Sequence, residues 1–77
     1  MTNQEARFLG ELTSICTLLG DAVLESDDGG DRWIDIRRGK MWGQIRSTYS
    51  RDTPVWEIAI GTGVVTKVTA HVGRKNG

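Results

Sequence analysis

The sequence predicts an α+β domain in which one N-terminal amphipathic helix packs on a five-stranded antiparallel meander. Two observations lead there. A helix-start signal opens a stretch of helical apolar spacing over residues 3–19. From residue 22 onward apolar residues alternate with period two, in runs separated by links rich in Gly and Asp. The competing architecture is a small five-stranded barrel with the helix at one end. With 77 residues, the chain is expected to form one domain, residues 1–77, near the lower limit for a single core.

In Thr2-Asn3-Gln4-Glu5 the hydroxyl and the carboxylate are spaced to satisfy free backbone donors at a helix start. Phe8, Leu9, Leu12, Ile15, Cys16 and Leu19 then fall on one stripe, so a single face of the helix is apolar. Gly20 is placed to stop the helix, whereas Gly10 inside it costs about 1 kcal/mol. The first strand is expected over about 22–27. A loop of Asp28, Gly29 and Gly30 would bring Leu24 onto the face of Ile34 and Ile36. The aspartates around those glycines raise a cation site, but the further oxygen ligands and terminal Glu of a calcium loop are missing.

Strands at about 32–38 and 41–50 form the most legible hairpin, joined by Gly39-Lys40, which fits a type II′ turn. That turn sets Arg38 opposite Met41, Ile36 opposite Gly43 and Ile34 opposite Ile45 on one face. The other face carries Arg37 opposite Trp42, Asp35 opposite Gln44 and Trp33 opposite Arg46. A four-residue turn, Arg51-Asp52-Thr53-Pro54, would set Ser50 opposite Val55 and Tyr49 opposite Trp56, which puts Trp56 in strand 55–60 on the core side. Gly61-Thr62-Gly63 turns the chain into strand 64–72. There Val64, Thr66, Val68, Ala70 and Val72 face the core, while Val65, Lys67, Thr69 and His71 face outward. Residues 73–77, GRKNG, read as a frayed basic tail.

Composition narrows the function. An apolar fraction of 38% and a charged fraction of 26% are those of a globular chain. No apolar run approaches the ~18 residues that cross a bilayer, and no signal core is present, so no membrane partner is expected and a cytoplasmic location is the default. The zero net charge conceals a polarity of −6 over residues 1–31 and +6 over residues 32–77, which can make a binding face or steer self-association.

Catalytic equipment is sparse. Cys16 lies on the inner helix stripe and His71 on the outer sheet face, so the two do not converge. Ser47 and Ser50 lack any nucleophile motif, and Gly61-Thr62-Gly63 lacks the Lys and the following helix of a phosphate loop. The expectation is a non-enzymatic module that needs no cofactor and no metal.

Trp33, Arg37, Trp42, Arg46 and Lys67 are the candidate partner-binding residues, because Trp and Arg on one uncovered face combine large contact area with directed hydrogen bonds. The expected partner is another protein, with the chain acting as an inhibitor, adaptor or assembly subunit; a small phage or mobile-element inhibitor is one instance. Single-stranded nucleic acid is the alternative. Residues 32–51 hold six basic side chains and one acidic one among Trp33, Trp42 and Tyr49, yet the whole chain has a pI near 6.5. A homodimer is also expected, from the small core and unprotected sheet edges.

Overall fold

Thr2 and Glu5 start the helix by exchanging hydrogen bonds. The Glu5 N–H donates to Thr2 Oγ1 at 3.1 Å, and the Thr2 N–H donates to Glu5 Oε1 at 2.7 Å. In the computed structural model, which describes residues 1–75, helix α1 runs Asn3–Leu19 and ends where Gly20 takes a φ of 65°. Thr13, Ser14 and Thr17 are tolerated mid-helix because each hydroxyl bonds back to the carbonyl four residues earlier. Phe8, Leu12 and Cys16, spaced by four, form the buried line.

Four strands follow: β1 (Ile34–Arg38), β2 (Met41–Ser50), β3 (Thr53–Thr62) and β4 (Val65–Gly73), in the sheet order β1-β2-β3-β4. The molecule is thus one helix on an open four-stranded antiparallel sheet. β1 and β4 do not meet, so there is no barrel. No helix among the described residues is long and apolar enough to cross a membrane.

The β1–β2 register is the one predicted, from Ile34↔Ile45 to Arg38↔Met41. Gly39 supplies the positive φ, 61°, that the first turn position needs. The next turn is tighter than expected. Arg51 and Asp52 both take positive φ, 50° and 65°, and close a two-residue turn with Ser50 opposite Thr53. Pro54 is therefore in the strand, where its carbonyl accepts from the Arg74 N–H at 3.1 Å. The pairing is two residues away from the expected one, which preserves parity. Trp56 still points to the core, but opposite Ser47 instead of Tyr49.

The expected fifth strand at 22–27 does not form. Only the isolated bridge Glu25↔Asp31 remains, closing a turn in which the Ser26 N–H donates to Gly30 O at 2.9 Å. Backbone groups that a ladder would need are taken by side chains. The Leu24 N–H donates to Ser47 Oγ at 2.7 Å, and Arg74 Nη1 donates to Ala22 O at 3.3 Å. Leu24 still packs against the core, though not through strand pairing.

β3 runs on through Gly61-Thr62, and the chain turns at Gly63-Val64. Between Ile60↔Val68 and Gly61↔Thr66 the register shifts by one, leaving Lys67 as the extra residue of a bulge. This corrects the expected outward place of Lys67: its Nζ lies 3.9 Å from Glu5 Oε2, on the helix side. The frayed tail is corrected too, because Arg74 is only 7% exposed. Lys75 is exposed, and the last two residues of that tail, 76–77, lie outside the described residues.

Phe8, Leu12, Cys16, Ile45, Trp56, Ile58 and Ile60 form the core, each contributing on the order of 1.5–3 kcal/mol for the larger apolar side chains. The helix comes closest at Gly43, where a Cβ would stand 2.7 Å from both Leu12 Cδ1 and Phe8 Cζ. At the other end the Trp56 Nε1–H donates to Gly20 O at 2.8 Å and ties the helix terminus to the sheet.

The same substitution should therefore have opposite signs at two glycines. Gly43→Ala is expected to destabilise by roughly 1–3 kcal/mol through overpacking under the helix. Gly10→Ala, where an added Cβ meets nothing within 4 Å, should stabilise by up to about 1 kcal/mol. Urea denaturation of the two variants checks both.

Candidate functional site

The sheet face away from α1 is crossed by a row of paired charged and polar side chains. Arg46 pairs in register with Glu57, and Glu57 with His71. Arg46 Nη1 donates to Asp31 Oδ2 at 2.7 Å, while its Nε and Nη2 donate to the two Glu57 oxygens at 3.3 and 3.4 Å. His71 Nε2 lies 3.5 Å from Glu57 Oε2. Held from both sides, the Arg46 guanidinium stacks 4.8 Å from the centre of the Trp33 ring, as the odd–even alternation predicts. A partly buried stack and ion pair of this kind are each worth on the order of 1 kcal/mol. Their main effect is to hold Trp33 in one orientation on the surface.

Trp42 is fixed differently. Its indole lies on Gly61, where a Cβ would be 2.6 Å from Trp42 Cζ2 and 2.1 Å from Val65 O. Its Nε1–H donates to Gly63 O at 2.7 Å. One side of the ring is thus packed on backbone, and the residue remains half-buried. Arg37 is its register partner and is exposed, but it does not stack on Trp42. Among the described residues the cation–π contacts are Arg46 on Trp33, and Arg74 on Tyr49 and Trp56. A shallow hollow of about 550 Å³ opens beside Arg37, Trp42 and Gln44.

Four of the five candidate residues, Trp33, Arg37, Trp42 and Arg46, therefore share this face, and Lys67 does not. Arg74 was missed. Its guanidinium donates to Ala22 O and to Thr48 O at 3.1 Å and lies 5.1 Å from the Tyr49 ring centre, so it clamps the segment after the helix to the end of β2. The signal was present: Val68, Ala70, Val72 and Arg74 continue one alternation on the core side.

The groups with chemical potential are committed elsewhere. Cys16 is 1% exposed between helix and sheet, and desolvation pushes its thiol pKa up to about 11. Ser47 Oγ is occupied by Leu24. Asp28 accepts from Ser26 Oγ and from the Gly30 N–H; these bonds, the Ser26 one foremost, hold its carboxyl below the usual range. Among the described residues no three side chains of His, Cys, Asp or Glu are grouped to hold a metal ion.

Comparison with known protein families, with curated proteins and with solved structures finds no match to this chain.

Because the folded-state thiol titrates above its ordinary value of 9.0, Cys16 supports the fold fully below pH 9 and loses that support as pH rises toward 11. The native protein should resist alkylation at neutral pH and react once unfolded. The alkaline fall in stability should be shallower in Cys16→Ala, which denaturation midpoints between those pH values would show.

Proposed function

We propose that this chain is a small non-enzymatic protein-binding module, of the inhibitor, adaptor or assembly-subunit kind, that docks a partner on the open face of its sheet. One observation carries this reading. Trp33, braced by Arg46, and Trp42, laid on Gly61, stand half-exposed on a face that no other element of the described chain covers. Preordered aromatic rings lose little conformational entropy on binding, the property that makes Trp and Arg strong interface anchors.

The same geometry weighs against single-stranded nucleic acid. Arg46 is already compensated by Asp31 and Glu57, and Asp35 lies on the same face, so an incoming phosphate would meet carboxylates as well as cations. A protein surface with its own mixed charges fits such a face better. The burial of Cys16 with a raised pKa supports a non-enzymatic role, since a thiol held protonated is a poor nucleophile.

The experiment is to capture a partner on the immobilised full chain, identify it by mass spectrometry and measure its Kd with purified components. Trp33→Ala combined with Arg37→Glu should weaken binding by about 2 kcal/mol or more, roughly 30-fold, with the circular dichroism unchanged. Leu18→Ala, on the exposed side of the helix, should leave Kd as it was. Equal affinity in all three proteins would remove the face from consideration, and tight salt-sensitive oligonucleotide binding would favour the alternative.

A further inference from the structure

A second surface lies on the helix side, at the far end of β1. Between α1 and the Gly39-Lys40 turn is a cleft of about 530 Å³, within the usual range for ligand sites, with Phe8 and Met41 in its floor and Arg7, Arg38 and Lys40 around it. Arg38 Nε is held by Glu11 Oε2 at 3.0 Å. Arg7 and Lys40 make no ion pair among the described residues, so the cleft presents uncompensated positive charge over an apolar floor.

The opposite end of the molecule carries the complement. The turn over residues 25–31, ESDDGGD, holds four carboxylates and no base. It is exposed around its tip and kept in shape by internal bonds, with the Ser26 N–H donating to Gly30 O at 2.9 Å and the Gly30 N–H donating to Asp28 Oδ1 at 3.1 Å. Asp28 serves that internal network and Asp31 serves Arg46, whereas Glu25 and Asp27 are without ion pairs among the described residues. β1 separates turn and cleft by about 17 Å, too far for the two to meet within one chain.

We propose that the cleft formed by Arg7, Arg38 and Lys40 receives the acidic 25–31 turn of a second copy of this chain, giving a head-to-tail assembly. The contact is heterologous, so each bound copy presents a fresh cleft and a fresh turn, and growth continues beyond two chains unless a ring closes. Its attraction is between exposed charges and is strongest at low ionic strength. It uses neither Trp33 nor Trp42, so it stands or falls separately from the open-face reading.

Light scattering coupled to size exclusion tests this on the full chain. At low salt the wild-type mass should at least double as concentration rises, and should return to that of one chain at roughly 0.5 M salt, where screening is strong. Arg7→Glu with Lys40→Glu makes both ends acidic, and Glu25→Lys with Asp27→Lys reverses the two unpaired charges of the turn, cancelling its net charge and setting lysines where the cleft expects carboxylates; each variant alone should stay a single chain. An equimolar mixture of the two should associate again. A single-chain mass for wild type at every concentration would overturn the proposal, as would failure of the mixture to associate. Association that survives in both variants but is lost in Trp33→Ala would assign the second copy to the open face instead and would equally overturn it.

Discussion

The seat of Phe8 and Leu12 on Gly43 is the contact from which the rest of the arrangement follows. Only a residue without a side chain lets the helix approach β2 this closely, and the approach closes the core over Ile45, Ile58 and Ile60. From there the helix runs down to Gly20, whose carbonyl takes the Trp56 indole N–H. Two fixed points thus clamp one helix across one face of four strands. There is no second helix among the described elements to cover the other face, so its exposure is a consequence of the element count.

An uncovered sheet face must be kept ordered by its own side chains. Here two devices do so. Asp31, Arg46 and Glu57 alternate charge along a row on this face, with Arg46 and Glu57 in register and His71 in register beyond Glu57. Trp42 is pinned by a backbone acceptor and by the space above Gly61. The rings are consequently held in place by named contacts while remaining only half-buried. The polarity of the chain takes a spatial form as well. The acidic 25–31 turn precedes β1 and the basic cleft lies at its far end, so a charge difference along the sequence becomes one along the molecule.

Much of this was legible in the alternation of residues, and the misreadings have separate physical causes. The first hairpin could be read to the residue because Gly39-Lys40 admits one register. The second turn was misjudged because Asp52-Thr53-Pro54 looks like loop material, yet Asp tolerates positive φ and the proline stands at the end of the ladder, where its carbonyl still accepts from the Arg74 N–H. A slip of two residues spares every face assignment. A slip of one does not, and the bulge at Lys67 is such a slip; no local residue pattern announces it. Residues 22–26 look like a strand by composition, but long-range bonds from Ser47 and Arg74 take their backbone groups. Those bonds depend on tertiary placement that alternation alone does not carry.

The central claim is that odd and even positions of the first hairpin lie on opposite sides, with Trp33 and Trp42 turned from the helix and Trp56 beneath it. Acrylamide quenching of three variants, each retaining one tryptophan and Phe at the other two positions, measures this directly at a concentration and salt that keep the protein a single chain. Trp33 and Trp42 should be quenched several-fold more strongly than Trp56, which is 0% exposed. Protection of Trp33 and Trp42 equal to that of Trp56 would contradict the account.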